Sequence, residues 1–267
     1  MNAFPPTLGW YHRTLQSVLM RIRPAPLAAL LKRVLGVRRI VIALPQGRYV
    51  LDPVSTLGIA LTSGGGYEPE MQATLEKFLM PGKSFVDLGA MEGYFTVQGA
   101  RLCSPGGRVL AIEPQQRLLP VIEENLRLNG SSNVTVLNAA VSRDCGKARI
   151  HLATSMNWGG SGLHRHTKYA LPTQEVEMLT LEQALDRAVL AAVDLLKMDI
   201  EGFEHEAVLG SPKVFHERRI KALALEVHPT ILADRGLDAG ELTACLSSAG
   251  YRHTQPFGNS VWVAPGE

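Results

Sequence analysis

From residue 85 onwards, short apolar runs alternate with segments of helical periodicity. The predicted strands cover residues 85–88, 108–112, 134–138, 194–198 and 222–225. The predicted helices that follow them cover residues 94–102, 115–128, 203–209 and 239–248. Because strands and helices that alternate in this way form a parallel sheet covered on both faces, we predict a doubly wound α/β fold. Residues 251–253 and 260–263 predict a terminal β-hairpin.

The first 80 residues follow a different pattern. Two amphipathic helices are predicted at residues 10–22 and 27–35, and a β-hairpin at residues 39–51. A further helix ends near residue 80, where strand–helix alternation begins. We therefore predict a basic helical and β-hairpin extension over residues 1–80 and the main domain over residues 81–267.

Charge is unevenly distributed. Residues 1–51 contain eight basic residues and no acidic residue, whereas the remainder contains 19 basic and 25 acidic residues. The apolar side of the second predicted helix consists of Leu30, Leu31, Val34 and Leu35. We predict that the two helices pack their apolar sides against the main domain and leave a basic face in water. The alternative is weak contact of residues 10–39 with an anionic membrane surface.

The composition is that of a globular protein, with 46% hydrophobic and 19% charged residues in a chain of 267. No apolar run is long enough to span a bilayer. Cys103, Cys145 and Cys245 are far apart and match no zinc-ligand spacing, so we interpret them as reduced thiols. These observations predict a cytoplasmic protein, with peripheral membrane contact as the alternative, and we predict no nucleic-acid partner.

The first apolar run of the main domain leads into a glycine-rich turn, residues 85–93. Gly89 and Gly93 permit backbone conformations closed to other residues and leave room for a ligand beside the main chain. The following helix directs unpaired N–H groups to the same place, and Asp87 adds a fixed acceptor. Together they predict a nucleoside or nucleotide site at the carboxyl end of a strand.

Glu113 ends the next strand, where a carboxylate can accept hydrogen bonds from both ribose hydroxyls. The glycine spacing is Gly-x-x-x-Gly rather than Gly-x-Gly-x-x-Gly, which favours a nucleoside ligand without a pyrophosphate. Two alternatives stay open from the residues: a nicotinamide-dependent oxidoreductase, and a non-catalytic nucleoside-binding module.

Further motifs lie at other strand ends. They are Ala111-Ile112-Glu113-Pro114, Lys197-Met198-Asp199-Ile200-Glu201-Gly202-Phe203-Glu204 and Glu226-Val227-His228-Pro229. With Asp87-Leu88-Gly89-Ala90-Met91-Glu92-Gly93, they make residues 60–264 resemble the FkbM family of S-adenosylmethionine-dependent methyltransferases. One position departs from the family pattern, since the family usually has Asn where this chain has Met91.

This resemblance implies a Rossmann-like class I methyltransferase sheet of seven strands, the last antiparallel, and S-adenosylmethionine as cofactor. The implied acceptor is a hydroxyl group of a sugar or polyketide-type natural product. By position, the implied cofactor contacts are Gly89 and Ala90 for the methionine moiety, Glu113 for the ribose, Asn138 and Ala139 for the adenine, and Tyr67 and Glu68 as a cover. Asp87, Gly93 and Asp199 complete the predicted cofactor site. Residues 64–70 and 153–172 are expected to select the acceptor.

Methyl transfer to a hydroxyl needs alignment of the reacting atoms and a base for the proton. The candidates are Asp199, followed by His228 and then Glu201. Asp199 follows a strand end beside the glycine turn, and the ordinary pKa of histidine suits a base near neutrality. Alternatively, Glu201 and Glu226 form ion pairs with Lys197 or an arginine that hold the strand ends together. A divalent cation on these carboxylates is possible chemically, but we predict no metal.

Overall fold

A computed structural model describes residues 7–22, 25–64, 66–153, 161–163, 172–254 and 260–266. The strands are β1 (Ile40–Leu44), β2 (Gly47–Leu51), β3 (Ser84–Leu88), β4 (Arg108–Ile112), β5 (Val134–Leu137), β6 (Ala139–Val141), β7 (Gly146–His151), β8 (Thr173–Leu179), β9 (Val193–Met198), β10 (Ile220–Leu225), β11 (Arg252–Thr254) and β12 (Ser260–Val263). The helices are α1 (Thr7–Arg21), α2 (Ala25–Val34), α3 (Thr56–Thr62), α4 (Pro69–Phe78), α5 (Tyr94–Cys103), α6 (Leu119–Leu128), α7 (Leu181–Arg187), α8 (Glu204–Leu209), α9 (Pro212–His216), α10 (Pro229–Asp234) and α11 (Ala239–Ser248). A 3-10 turn, Gln116–Leu118, precedes α6.

The described residues form a central sheet of seven strands in the order β11-β12-β10-β9-β3-β4-β5. The contacts among β10, β9, β3, β4 and β5 are parallel, whereas β12 is antiparallel to both of its neighbours. The predicted fold, including the antiparallel last strand, is confirmed. Leu88 pairs with both Ile112 and Met198, so the carboxyl ends of three neighbouring strands lie level.

Alternate residues of β3 face two hydrophobic clusters, one on each side of the sheet. Val86 and Leu88 belong to one cluster and Phe85 to the other. The second cluster also contains Tyr49 of β2 and Met71 of α4. The hairpin and α4 therefore share a core with one face of the sheet, and the boundary proposed near residue 80 does not separate two cores.

The region after β5 differs from the prediction. The strand predicted at residues 134–138 ends at Leu137, and β6 leaves the central sheet to pair with β8 in a three-stranded sheet of order β6-β8-β7. Asn138 lies at the crossing point. Its side-chain amide donates to the carbonyl oxygens of Glu113 (2.8 Å) and Pro114 (3.0 Å), which fixes the end of β4.

The two N-terminal helices pack differently from the prediction. Leu19 of α1 and Ala28 of α2 meet Val54 in a small hydrophobic cluster. Lys32 is also buried, because it forms an ion pair with Asp52. The residues of α2 predicted to be buried point largely outwards, with exposures of 55% for Leu30, 73% for Val34 and 53% for Leu35. The prediction that only a basic face lies in water is therefore wrong. No helix in the described part of the chain is both long enough and apolar enough to cross a bilayer.

Candidate active site

A cleft opens at the carboxyl edge of the central sheet. Its walls come from the turns after β3, β4 and β9, from β6, and from the segment before α4. The predicted site residues on its wall are Glu68, Gly89, Ala90, Glu113, Ala139, Asp199 and Glu201. Its apolar side includes Leu88, Val141, Ile150 and Leu163. The structure therefore brings most of the predicted cofactor contacts into one cavity.

The glycine turn is shaped by a close approach of two backbones. Gly89 has a φ of +86°, and a Cβ there would lie 1.9 Å from the carbonyl oxygen of Asp199. The Asp199 amide in turn donates to the carbonyl of Leu88 at 3.1 Å. Gly93, with a φ of +78°, caps the start of α5. Only glycine at position 89 lets the turns after β3 and β9 meet.

Glu113, the residue predicted to hold the ribose, lines the cleft and anchors the glycine turn. Its Oε2 accepts from the Met91 amide and its Oε1 from the Gln115 amide, each at 2.8 Å. Burial raises the pKa of Glu113 to about 7, although both amides oppose the shift. Each carboxylate oxygen has a second lone pair, so both oxygens can still accept from ligand hydroxyls.

Met91, the residue that departs from the family pattern, occupies the left-handed region with a φ of +50°. Asn tolerates this conformation better than other residues with a side chain, because its short polar side chain bonds locally. The backbone of the turn thus accounts for an Asn at this position. In this chain Met91 lines the cleft in a strained conformation.

Asp87 lies beneath the cleft rather than on its wall, and its side chain is only 1% exposed. It accepts from the Thr96 hydroxyl at 2.6 Å and lies 3.4 Å from the ammonium group of Lys197. Lys197 is also buried, and it lies 3.9 Å from Asp199. Burial opposes the charge on Lys197, but Asp87, Asp199 and Glu68 outweigh it and raise the pKa of Lys197. Lys197 thus pairs with Asp87 and Asp199, not with Glu201 or Glu226 as the structural alternative supposed.

The three candidate bases lie together at the ends of β9 and β10. The Nε2 atom of His228 is 3.7 Å from a carboxylate oxygen of Asp199 and 3.8 Å from one of Glu201. Its Nδ1 atom lies 3.0 Å from Oε1 of Glu204, a residue with no exposed side-chain surface. The same oxygen accepts from the amides of Ile200 and Gly202, both at 3.1 Å. Glu204 therefore ties the turn after β9 to His228.

The charges in this cluster determine which group can accept a proton at neutral pH. The hydrogen bond with Glu204, assisted by the charges of Glu204, Asp199 and Glu201, raises the pKa of His228 to about 9. Burial, followed by repulsion from Asp199, raises the pKa of Glu201 to about 7. His228 is therefore an imidazolium at neutral pH, and the expectation that it titrates near neutrality is not met.

Three side chains bring atoms of the kind that bind metals within 4.8 Å of one another: those of Asp199, Glu226 and His228. A metal would require a neutral His228 ring, and a carboxylate on the other ring nitrogen, as Glu204 is on Nδ1, occurs in metal-bound as well as in ion-paired histidines.

Tyr67 and Glu68 form the opposite wall of the cleft. Glu68 has a φ of +43° immediately before α4, and burial raises its pKa. Its Oε2 atom is buried without a hydrogen-bond partner. Of the segment expected to select the acceptor, residues 154–160 and 164–171 lie outside the described residues, while Ser161, Gly162 and Leu163 line the cleft.

Sequence reasoning missed Lys197, Gln115 and Glu204 as site residues. Gln115 lines the cleft, and its side-chain oxygen accepts from Arg117 at 2.7 Å. Arg117 also donates to Ser161 at 3.2 Å and so connects this wall to the acceptor segment. Lys197 and Glu204 both lie in the motif 197–204 that carries the family resemblance, which was an available signal. For Gln115 the sequence held none.

The sheet order and the glycine turn opposite an acidic strand end define a class I S-adenosylmethionine-dependent methyltransferase fold. The model of the methyltransferase FkbM domain matches residues 87–253, well over half of the chain. The chain therefore belongs to the FkbM methyltransferase family.

Solved structures of methyltransferases are similar to the chain at low identity. The methyltransferase FkbM from Methylobacillus flagellatus KT is 20% identical over 68% of this chain, with a TM-score of 0.43. This chain spans only 43% of that protein's length. An S-adenosylmethionine-dependent methyltransferase from Aquifex aeolicus is 17% identical over 73% of this chain and 87% of its own, with a TM-score of 0.40. Aeropyrum pernix fibrillarin with bound S-adenosylmethionine is 14% identical over 72% of each chain, also with a TM-score of 0.40. No curated protein matches.

Proposed function

We propose that this protein transfers a methyl group from S-adenosylmethionine to a hydroxyl group of a small molecule or sugar. The observation that carries the proposal is that Asp199 and Glu201 line the same cleft as the glycine turn and Glu113. The residues predicted to hold the nucleoside and the residues predicted to accept the proton thus line one cavity. The free thiols Cys103, Cys145 and Cys245 suit a reaction in the cytoplasm.

The residues of the cleft fit S-adenosylmethionine. Glu113 would hold the ribose hydroxyls, and the apolar side formed by Ala139, Val141 and Ile150 suits the adenine. The buried, unpartnered Oε2 of Glu68 and the carboxylate of Asp199 suit the positive charges of the methionine moiety. When bound, the cofactor supplies an already activated methyl group on its sulfonium sulfur.

The chain then has two tasks in the reaction. It must align the acceptor oxygen with the methyl group, which can contribute roughly 7–11 kcal/mol to lowering the barrier. It must also accept the hydroxyl proton, and Glu201 is the best base because its pKa of about 7 matches the working pH. His228 stays protonated and fixes the carboxylates of Asp199 and Glu201 by charge.

Binding is tested by separate calorimetric titrations with S-adenosylmethionine, S-adenosylhomocysteine and NAD. We expect both sulfur nucleosides to bind and NAD not to bind. Glu113→Gln should weaken both by about 10–100-fold, because the amide cannot replace the carboxylate at two backbone N–H groups and two hydroxyls. Binding of NAD alone would refute the proposal and favour an oxidoreductase.

Catalysis is tested by following S-adenosylhomocysteine release with a panel of sugar and natural-product hydroxyl acceptors. Glu201→Gln should lower kcat by ~10²–10⁴-fold while the affinity for S-adenosylmethionine changes little. Glu217→Gln, at an exposed position after α9, is the matched control. Removal of divalent cations with EDTA should leave kcat unchanged. Cofactor binding with no transfer to any hydroxyl, amine or thiol acceptor would identify a binding module instead.

A further inference from the structure

Large exposed hydrophobic residues are concentrated at the N-terminus. Among the described residues, ten large hydrophobic side chains are exposed, and seven of them lie between positions 10 and 35. These seven are Trp10, Tyr11, Val18, Leu27, Leu30, Val34 and Leu35. Trp10 and Val34 are each 73% exposed. Single exposed apolar residues are normal, but such concentrations mark interaction sites. This region is therefore a candidate interaction site.

Each helix presents these residues on the side opposite the one it buries. On α2, Leu27, Leu30 and Val34 follow the i, i+3, i+7 spacing of one helix face, whereas Ala28 and Lys32 are buried. On α1, Trp10, Tyr11 and Val18 fall within about 100° of one another on a helical wheel. Leu19 and His12 lie on the buried side. Both helices are therefore attached to the protein and still have an apolar face in solvent.

The charged residues of the N-terminal segment that carries these faces all have one sign. Residues 1–51 contain eight basic residues and no acidic residue. Two of the eight form ion pairs with acidic residues of the protein: Lys32 pairs with Asp52, and Arg39 pairs with Glu92. Arg21 at the end of α1, Arg33 on α2 and Arg38 shortly after α2 are exposed.

We propose that α1 and α2, with the three exposed arginines, form a docking surface for an anionic lipid bilayer. Exposed tryptophan on α1 and exposed leucine on α2, with arginine and no acid in the same segment, are features of helices that lie in the membrane interface. The helices lie along the bilayer, with their apolar side chains at the boundary of headgroups and acyl chains. The arginines contact anionic headgroups, and the rest of the chain, which is net acidic, stays away from the surface.

The test is flotation of the full chain with vesicles of phosphatidylcholine alone, or with 30% phosphatidylglycerol added. We expect binding to the anionic vesicles only. The triple variant Leu27→Ser, Leu30→Ser, Val34→Ser should reduce the partition coefficient at least tenfold. The matched control changes the three exposed apolar residues outside this region to serine: Val41, Met80 and Val189. The control should bind as the parent protein does.

A second variant, Arg21→Gln, Arg33→Gln, Arg38→Gln, should reduce partitioning on the order of 100-fold, since each cation near an anionic surface contributes about fivefold. Raising the salt concentration should also release the parent protein. Thermal melting and S-adenosylmethionine affinity, both unchanged, would show that the variants fold. Equal binding to neutral vesicles, or no flotation at all, refutes the proposal. Dimerisation that the α2 variant abolishes in sedimentation, without lipid binding, would assign the surface to a second copy of the chain and also refutes it.

Discussion

The contact between Glu204 and His228 gives a quantitative prediction. Glu204→Gln keeps the size of the side chain and an oxygen for the amides of Ile200 and Gly202, but it removes the charge that contacts Nδ1 of His228. The pKa of His228 is raised from 6.5 to about 9, and Glu204 is the first cause. This difference corresponds to about 3 kcal/mol at ~1.4 kcal/mol per pH unit. Because Asp199 and Glu201 keep their charges, we expect the variant to lower the pKa by about 1–2 pH units.

The sign of the effect on stability follows from the raised pKa. The folded state holds the proton more tightly than the unfolded state, so the stabilisation is complete below pH 6.5 and is lost as the pH rises through 9. Between pH 6 and pH 10, the parent protein should lose about 1–3 kcal/mol more of its unfolding free energy than the variant.

The measurement is an NMR titration of the His228 ring from pH 5 to pH 10, with the signal assigned by its loss in His228→Gln. Urea unfolding at pH 6 and pH 10 gives the stability difference. Glu206→Gln is the matched control, because Glu206 lies on the same helix and pairs with Arg235 instead. A His228 pKa that stays near 9 in Glu204→Gln, or falls equally in Glu206→Gln, would show that Glu204 does not control this histidine.

Three further substitutions test the turn and its support. Gly89→Ala places a methyl group 1.9 Å from the Asp199 carbonyl oxygen, so we expect a loss of ~3 kcal/mol or more in urea unfolding and loss of S-adenosylmethionine binding in calorimetry; normal affinity would contradict the close approach. Met91→Asn should raise the unfolding free energy by about 0.5–1 kcal/mol, since Asn suits a φ of +50°; a lower melting temperature would argue against strain. Arg39→Met leaves the buried carboxylate of Glu92 without its cation, so we expect it to lower the unfolding free energy by ~3 kcal/mol. The double variant with Glu92→Met should recover much of this loss in the same unfolding assay.

The strands of the main domain could be predicted because they are buried on both faces. The runs ending at Leu88, Ile112 and Met198 are mostly apolar and largely buried, although β3 contains Asp87 and β9 contains Asp194 and Lys197, and a turn follows each run. The glycine turn was equally visible, since Gly89 is required by a backbone contact rather than by long-range packing alone. These features depend on local sequence and on a sheet whose order follows from strand–helix alternation.

What could not be predicted depends on which surfaces meet. Asp87 and Lys197 are partners in the register of β3 and β9, and a single sequence does not state a register. The apolar periodicity of α2 located an apolar face but not its environment. That face is exposed, and the buried side carries Lys32, whose burial depends on its ion pair with Asp52, 20 residues later. Glu204 presents the same difficulty, since nothing local marks a glutamate as fully buried.

The N-terminal hairpin and the glycine turn are joined through Asn125 of α6. The Asn125 side chain accepts from the Val50 amide at 2.6 Å and donates to the carbonyl of Glu92 at 2.8 Å. A ligand that binds only while these contacts hold the hairpin to the turn also suppresses opening of the hairpin, by linkage. At a ligand concentration 100 times its dissociation constant this suppression is about 2.7 kcal/mol. Hydrogen exchange at the Val50 amide should then slow by up to about 100-fold, so an amide outside the cleft reports its occupancy.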